Sequence, residues 1–209
     1  MRLSKDQVQS FNKQFKGIPP EEIIQWAINF ANRPVLTSNF KPYSVVLLHA
    51  VTMIKRNIPT IWCDTGYNTP ETYRYANKLS DVLNLNLKVY RPRQTSAYIE
   101  AIMGGVPDLD SPMHTEFTEL VKLEPFKRAM EEHQPDVWFT NIRKGQTEYR
   151  DTLDILSLSA DGVLKVSPFY HWSETELESY LYEWNLSNEH NYFDPTKVLE
   201  HRECGIHFS

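Results

Sequence analysis

One cysteine, Cys204, stands in the run Arg202-Glu203-Cys204-Gly205-Ile206-His207 close to the end of the sequence. Free cysteines are among the most buried residues in proteins, whereas chain ends are among the least buried segments. Positive charge from Arg202 or His207 would favour the thiolate, which is the reactive form of cysteine. The pattern favours a reactive thiol, and the alternative is an incidental cysteine in a disordered tail.

The other cysteine, Cys63, ends the apolar run Thr60-Ile61-Trp62-Cys63 and is predicted to be a core thiol. Two cysteines so far apart cannot supply a four-cysteine zinc or iron–sulfur site. The first residues carry no apolar signal segment. We therefore expect a cytoplasmic protein in a reducing environment, without a disulfide framework.

Polar loops follow four short apolar runs that are typical of strands. The runs are Val35–Thr37, Thr60–Cys63, Leu87–Tyr90 and Val137–Thr140. The first loop carries Ser38 and leads into a helix beginning at Ser44, an arrangement that suits an anion. The second begins Asp64-Thr65-Gly66, where the carboxylate could accept a hydrogen bond and the glycine would allow close backbone approach.

Cations concentrate in the other two loops. Arg91 and Arg93 follow the third strand, and the segment 141–150 follows the fourth with three further cations. Each loop alone could be an ordinary solvated turn. The carboxyl ends of parallel strands meet at one edge of a sheet, however, and ligands bind there. The four loops together predict a site for a nucleotide with extra negative charge.

Helical patterns separate these strands and indicate the fold class. Helices are predicted over residues 21–32, 44–55, 69–83, 96–103, 115–132 (broken or kinked at Pro125) and 173–184, while residues 155–158 and 163–166 could pair as a hairpin or form separate strands. This order predicts an α/β fold with a twisted, mainly parallel sheet and helices on both faces, as in Rossmann-like proteins. We assign residues 1–184 to a nucleotide-binding domain and residues 185–209 to a mobile tail.

The composition excludes several classes of function. A chain of 209 residues with 41% hydrophobic and 23% charged residues is typical of one globular domain. No apolar run approaches the roughly 20 residues of a membrane span. A net charge of -5 gives no support to nucleic-acid binding. The seven histidines lack the spacing of a zinc site, so no metal is expected, and His49 is predicted to be a hydrogen-bonded core residue.

Several ordered motifs resemble the thioredoxin-dependent phosphoadenylyl-sulfate (PAPS) reductases, whose fold is adenine-nucleotide α-hydrolase-like. The motifs are Asp64-Thr65-Gly66-Tyr67 with Pro70-Glu71-Thr72-Tyr73-Arg74, then Lys122-Leu123-Glu124-Pro125, then Trp138 to Arg150, and finally Arg202 to His207. The resemblance runs from about Val35 to His207 and so covers most of the chain.

The resemblance implies a covalent mechanism. Cys204 would attack the sulfur of PAPS, leaving adenosine 3′,5′-bisphosphate and an S-sulfocysteine, from which reduced thioredoxin or glutaredoxin would release sulfite. Substrate-binding residues are predicted in the loops already described, in the Lys122 motif and in the tail: Ser38, Asn39, Phe40, Lys41, Ser44, Asp64, Thr65, Gly66, Lys122, Asn141, Arg143, Lys144, Gln146, Arg150, Arg202 and His207. The family resemblance also allows a homodimer.

The resemblance further implies the cluster-free branch of the family. Phe117 and Thr118 stand about where adenylyl-sulfate reductases carry paired cysteines of an iron–sulfur cluster, so no cofactor is expected. The chain departs from the family in four places. Asn39-Phe40-Lys41-Pro42 replaces a usual Ser-Phe-Gly, Asn141 replaces a glycine, and His201 replaces a lysine common before the arginine. The segment before Arg202 is also short, with Asp194-Pro195-Thr196-Lys197 as a reduced version of a longer motif.

Three alternatives to PAPS reduction stay open at this point. The first is reduction of adenylyl sulfate without a cluster. The second is an ATP-dependent sulfur-transfer or nucleotide α-hydrolase enzyme, although such enzymes usually carry a Ser-Gly-Gly-x-Asp-Ser loop that this chain lacks. The third is a nucleotide-binding protein without turnover.

Overall fold

The computed structural model describes residues 2–196, and its centre is a six-stranded sheet. The strands are β1 (Pro34–Thr37), β2 (Pro59–Cys63), β3 (Asn86–Tyr90), β4 (Val137–Phe139), β5 (Leu156–Leu158) and β6 (Leu164–Val166). Their order is β3-β2-β1-β4-β6-β5, and every neighbouring pair is parallel except β5 and β6. The predicted mainly parallel sheet is confirmed.

Helices cover both faces of this sheet. They are α1 (Lys5–Phe15), α2 (Pro20–Phe30), α3 (Ser44–Ile54), α4 (Pro70–Val82), α5 (Ser96–Met103), α6 (Met113–Thr118), a π-helix (Glu119–Leu123), α7 (Glu124–His133), α8 (Glu148–Asp151) and α9 (Glu174–Glu183). Helix α3 packs against α2 and α9 on one face, and α7 packs against β2 and β3 on the other. Within residues 2–196, none of these helices combines the length and apolar character needed to cross a membrane.

The buried strands send alternate side chains to opposite faces. Leu36 and Phe139 join the large core beneath α2, α3 and α9. Val35 and Trp138 join a smaller core with Phe126 of α7. A strand that is buried on both faces has a continuous apolar sequence. These strands could therefore be predicted from their apolar runs.

The chain reverses its path across the sheet between β1 and β4. From β1 it moves outward through β2 to β3, and it then returns to place β4 on the other side of β1. Such a switch point leaves a crevice at the carboxyl ends of the two strands, because the connections leave them in opposite directions.

The sequence did not decide whether residues 155–158 and 163–166 pair with each other. In the structure β5 and β6 form a hairpin, in which Leu156 lies opposite Val166. Helix α1, which we did not predict, flanks the hairpin's edge strand. Asn12 of α1 donates from Nδ2 to the Leu156 carbonyl at 2.9 Å and accepts from the Leu156 N–H at 2.8 Å. The sequence did carry a signal for α1, because Ser4 and Gln7 form a capping box at its start.

The helix predicted over residues 115–132 consists of three segments, α6, the π-helix and α7. Proline has no N–H to donate to the carbonyl four residues earlier, and Pro125 lies in the first turn of α7. Just before it, the Glu124 N–H donates to the Glu119 carbonyl, five residues back. The chain stays helical through Pro125, so the helix is not broken there as predicted, and its irregularity is the π-turn just before the proline.

Helix α3 is buried on almost every side from Ser44 to Thr52. Its one histidine, His49, has Nδ1 2.8 Å from the hydroxyl oxygen of Tyr180 on α9. The prediction of a hydrogen-bonded core histidine is confirmed. Burial lowers the pKa of His49, which favours the neutral ring that can pack between helices.

The chain between α2 and β1 is held by Asp136, the residue before β4. Its carboxylate accepts from the N–H groups of Asn32 and Arg33, each at 2.8 Å, and from the Asn32 side chain at 3.1 Å. Burial alone would raise the pKa of Asp136, but these donors hold it below its ordinary value of 3.8.

We expect Asp136→Asn to lower the free energy of unfolding by about 1–3 kcal/mol at neutral pH, because the amide turns a donor toward N–H groups. A carboxylate with a depressed pKa stabilises the fold above its unfolded pKa and loses this effect as the pH falls through its folded pKa. The deficit of the variant should therefore shrink below about pH 4. Urea denaturation at neutral pH and near pH 3 measures it. Asp110→Asn, at an exposed loop residue, is the matched control, and a deficit that does not depend on pH would contradict the assignment.

Candidate active site

A cleft of about 620 Å³ opens at the carboxyl ends of β1 and β4, at the switch point of the sheet. This volume lies within the range of ordinary small-molecule sites. Nine residues predicted to bind substrate line it: Ser38, Asn39, Lys41, Ser44, Lys122, Asn141, Arg143, Gln146 and Arg150. The structure therefore brings together side chains from the loop after β1, the start of α3, the π-helix, the loop after β4 and α8.

The loop between β1 and α3 adopts a strained backbone. Phe40 has φ 54° and Tyr43 has φ 63°. These values lie in the left-handed region of backbone conformation, which residues other than glycine rarely adopt. This loop lacks the glycine that the family usually has, and the structure places positive φ angles on these two residues instead. The Phe40 ring is fully buried and lies edge-on to Trp62 with 5.0 Å between ring centroids. Phe40 thus shapes the loop from the core, and its ring does not line the cleft.

Three buried polar atoms in the cleft have no hydrogen-bond partner within the described part of the chain. They are Ser44 Oγ, Asn141 Oδ1 and Arg143 Nε. A buried polar atom without a partner costs about 1–3 kcal/mol, so such atoms are rare in native proteins. Their convergence on one cleft indicates that a polar ligand completes the site.

The two arginines of the cleft are buried and held by one glutamine. Gln146 Oε1 accepts from the Arg143 backbone N–H at 3.0 Å and also from the Arg150 guanidinium. The Arg143 guanidinium lies over the Tyr43 ring, 5.3 Å from its centroid. Burial lowers the pKa of Arg143, but an arginine stays charged at neutral pH. The arrangement presents positive charge in a partly desolvated site, where an anion is strongly attracted.

A further buried cation lies behind the cleft wall. The Lys165 ammonium is 5.2 Å from the centroid of the Trp138 ring, and burial lowers the pKa of Lys165 to about 8. Trp138 lines the cleft and donates from Nε1 to Thr37 Oγ at 2.8 Å. The wall near β1 and β4 is therefore backed by positive charge.

Asp64, Thr65 and Gly66 do not line the cleft. Asp64 Oδ1 accepts from the Tyr73 hydroxyl at 2.8 Å, the Asn68 amide at 2.9 Å and the Gly66 N–H at 3.1 Å, while Oδ2 accepts from Arg91 Nε at 3.1 Å. The carboxylate is thus occupied in joining β2 to α4. Direct contact of these three residues with a ligand stays a prediction.

The remaining predicted residues fall into two groups. Lys144 is exposed and does not line the cleft, so its contact with substrate also stays a prediction. Arg202, Cys204 and His207 lie outside the described residues. Cys63, expected in the core, is instead half-buried and lines the cleft, because it ends β2 at the edge of the sheet where the ligand cleft opens.

A segment that we call the strap, residues 187–196, runs along this edge of the sheet. Asn188 Oδ1 accepts from the Tyr43 N–H at 2.9 Å, and the Asn191 carbonyl accepts from Thr69 Oγ at 2.8 Å. Asn39 donates to the Tyr192 hydroxyl at 2.8 Å. The assignment of residues 185–209 to a separate tail stays a prediction, and its first part contacts the nucleotide-binding domain.

Sequence reasoning missed several residues of the cleft. Thr37 ends β1 and Thr140 directly follows β4, so the rule that ligands bind at strand ends could have found them. Tyr192, Asp194 and Glu174 also line the cleft. They come from segments distant in the chain, and no local pattern connects them with it.

Ser44→Ala should stabilise the protein by about 0.5–1 kcal/mol, because it removes a buried hydroxyl without a partner. It should also weaken binding of an anionic nucleotide. Ser167→Ala is the matched control, since Ser167 Oγ lies 2.7 Å from Thr140 Oγ in the same buried region. That variant should be less stable than the unaltered chain. Thermal unfolding measures both, and a destabilised Ser44→Ala would contradict the assignment of Ser44 to a ligand.

Comparison with known proteins agrees with this geometry. A family model for the phosphoadenosine phosphosulfate reductase domain matches residues 33–193. A phosphoadenosine 5′-phosphosulfate reductase of Xylella fastidiosa is 33% identical over 97% of this chain and 94% of its own. The corresponding protein of Vibrio atlanticus is 34% identical over 94% of this chain and 84% of its own.

Solved structures show the same fold. PAPS reductase from Candida auris, in a phosphate complex, has a TM-score of 0.77 with 23% identity, and 90% of each chain is covered. FMN adenylyltransferase from Candida glabrata has a TM-score of 0.56 with 13% identity, over 87% of this chain and 58% of that one. The match to the family model and the identity to these reductases confirm the resemblance, and the chain belongs to the phosphoadenosine phosphosulfate reductase family.

Proposed function

We propose that this protein reduces PAPS to sulfite and adenosine 3′,5′-bisphosphate. The observation that carries the proposal is the group of unpartnered buried atoms, Ser44 Oγ, Asn141 Oδ1 and Arg143 Nε, in a cationic cleft at the switch point. A nucleotide bearing phosphate and sulfonate oxygens supplies acceptors for Arg143 and the Ser44 hydroxyl, and its hydroxyl groups can donate to Asn141. Membership of the family supports the same substrate.

Charge is the main requirement for the chemistry. Attack by a thiolate on an anionic sulfonate is opposed by repulsion, which fixed cations reduce without reorganising during the reaction. Arg143 and Arg150 are buried at the cleft and can offer fork-shaped pairs of N–H donors to phosphate or sulfonate oxygens. The N-terminus of α3, an 11-residue helix, adds partial positive charge beside Ser44.

Cys204 is proposed as the nucleophile, on the strength of its sequence signature. Its thiolate attacks the sulfonate sulfur, an S–S bond forms, and the bond from sulfur to the bridging phosphate oxygen breaks. Adenosine 3′,5′-bisphosphate leaves with that electron pair. A thiolate of a reduced dithiol protein then attacks Cys204 Sγ and releases sulfite, and the second thiol of that protein resolves the mixed disulfide. The two electrons come from the dithiol, so the cycle is complete without a metal or flavin.

The partners and the setting are part of the proposal. Thioredoxin or glutaredoxin fits the role of dithiol donor, and both imply a reducing, cytoplasmic setting. An iron–sulfur cluster is not proposed, because the chain has only two cysteines. A homodimer remains a proposal based on the family.

Reduced protein incubated with PAPS in the absence of thioredoxin should gain one sulfonate group, and peptide mass mapping should place it on Cys204 rather than Cys63. Thioredoxin should then discharge it as sulfite. Cys204→Ser should form no adduct, because serine is a far weaker nucleophile for sulfur. A parallel incubation with adenylyl sulfate decides between the two sulfonated substrates.

Two results would contradict this function. Nucleotide binding without an adduct or sulfite would indicate a protein without turnover. Release of pyrophosphate from ATP would favour a nucleotide α-hydrolase type of enzyme instead.

Arg143→Gln should weaken binding of adenosine 3′,5′-bisphosphate about 10- to 100-fold, the amount expected when a charged hydrogen-bond donor is lost. Lys144→Gln removes the neighbouring charge from an exposed residue that does not line the cleft. It should change the dissociation constant about twofold or less, as a screened surface charge does. Isothermal titration at fixed ionic strength compares the two variants. Equal losses of affinity in the two variants would contradict a contact from Arg143. They would mean that the summed positive charge of the loop holds the nucleotide.

A further inference from the structure

A buried ion pair joins the strap to the wall of the cleft. The Lys122 ammonium donates to the Asp194 carboxylate, and the two side chains are 7% and 5% exposed. Both residues line the cleft. Lys122 was predicted to bind the substrate, but the structure directs its ammonium to the strap.

The lysine of this pair comes from the π-helix. Single π-turns inside α-helices are rare and are frequent at functional sites. Lys122 lies within the π-helix, which ends just before α7 and Pro125. The turn places a buried lysine of this segment against Asp194, which lies 72 residues later in the chain.

Several donors converge on the Asp194 carboxylate. Its Oδ1 accepts from the Thr196 hydroxyl at 2.6 Å and from the Thr196 N–H at 3.1 Å, and Thr196 Oγ accepts from Lys122 at 3.1 Å. Burial alone would raise the pKa of Asp194, but the Lys122 charge and these donors hold it below its ordinary value. The three residues form a buried polar group in which the two charges compensate each other.

The energetics indicate a role other than stability. A buried ion pair contributes little net stability, because desolvation of the two charges offsets their attraction, although removing one partner alone is costly. Such pairs serve specificity in some proteins, where they hold one arrangement of the chain against others. Here the arrangement held is the contact between the strap and the substrate cleft.

Asp194 of this ion pair lies close to Cys204 in the sequence, so the pair limits how far Cys204 can lie from the cleft. Thr196 is almost fully buried, and Cys204 follows it by eight residues. Covalent geometry limits the distance between their Cα atoms to about 27 Å. Without the pair, the nearest fixed point would be Tyr192, which Asn39 holds, and the tether would be half as long again.

We propose that Asp194, through Lys122, is a positioning residue that holds the strap at the cleft wall, so that the chain leaves for Cys204 from a fixed point beside the substrate. This inference rests on the proposed function of Cys204. The longer tether alone would lower the effective concentration of the thiol about twofold. If the strap is no longer fixed at the cleft wall, the chain toward Cys204 also loses its defined direction. This slows the reaction further, because a small misplacement of a reacting group lowers its rate.

The test measures adduct formation and nucleotide binding separately. Unaltered protein, Asp194→Asn and the control Asp110→Asn are mixed with saturating PAPS, and the single-turnover rate of S-sulfocysteine formation is followed by intact-mass spectrometry. Asp194→Asn should form the adduct about five- to tenfold more slowly, while its dissociation constant for adenosine 3′,5′-bisphosphate changes about twofold or less. Asp110→Asn should match the unaltered chain in both.

A second variant guards against loss of folding, because Asp194→Asn leaves the buried Lys122 charge without its counter-ion. Thr196→Val keeps both charges and removes only the hydroxyl that links them. It should slow adduct formation about threefold, with an unchanged thermal midpoint to within a few degrees.

The outcomes separate this proposal from the one on which it rests. If the unaltered chain forms no adduct, both the proposed chemistry and the positioning role fail. If the unaltered chain forms it and both variants form it equally fast, the positioning role alone is wrong. A parallel loss of nucleotide binding and adduct rate would also overturn it, because Asp194 would then act on the substrate site itself.

Discussion

Positive charge buried at the carboxyl ends of β1 and β4 is the constraint around which the rest of this structure is arranged. Removing a cation from water costs several kcal/mol unless other groups compensate for the lost hydration. The three buried cations that line the cleft contact different groups. Arg143 stacks on Tyr43, Arg150 donates to Gln146, and Lys122 pairs with Asp194. Of these three, Arg143 alone has a buried donor atom without a hydrogen-bond partner among the described residues, and a bound phosphate or sulfonate would satisfy it.

The strained loop and the strap follow from this constraint. Two residues with positive φ, Phe40 and Tyr43, place the loop against the cleft, and such conformations persist only where the surroundings enforce them. The core enforces the first through the buried Phe40 ring beside Trp62. The strap supports the second, because Asn188 accepts from the Tyr43 N–H. The strap and the loop between β1 and α3 therefore stabilise each other.

The fold was largely predictable because its signals are local. Continuous apolar runs identified β1 to β4, and capping residues such as Thr69 and Ser173 marked helix starts that the structure confirms. Helix α1 was missed although Ser4 and Gln7 mark it. The π-helix could not be specified in advance, because Pro125 predicts a break but not its geometry. For the same reason, the side chain that Lys122 contacts could not be predicted.

Within the site, the sequence by itself determined which residue types gather at one sheet edge. Strand order and the rule for ligand binding at strand ends bring Ser44, Arg143 and Arg150 together, and the family motifs around them identify the class of ligand. Tertiary structure alone decided how these groups are used. The Asp64 carboxylate accepts hydrogen bonds from Tyr73, Asn68 and Arg91, and the Lys122 ammonium pairs with Asp194 at the cleft. The physical reason is that hydrogen bonding and burial depend on contacts between segments distant in the chain, which periodicity and local motifs do not encode.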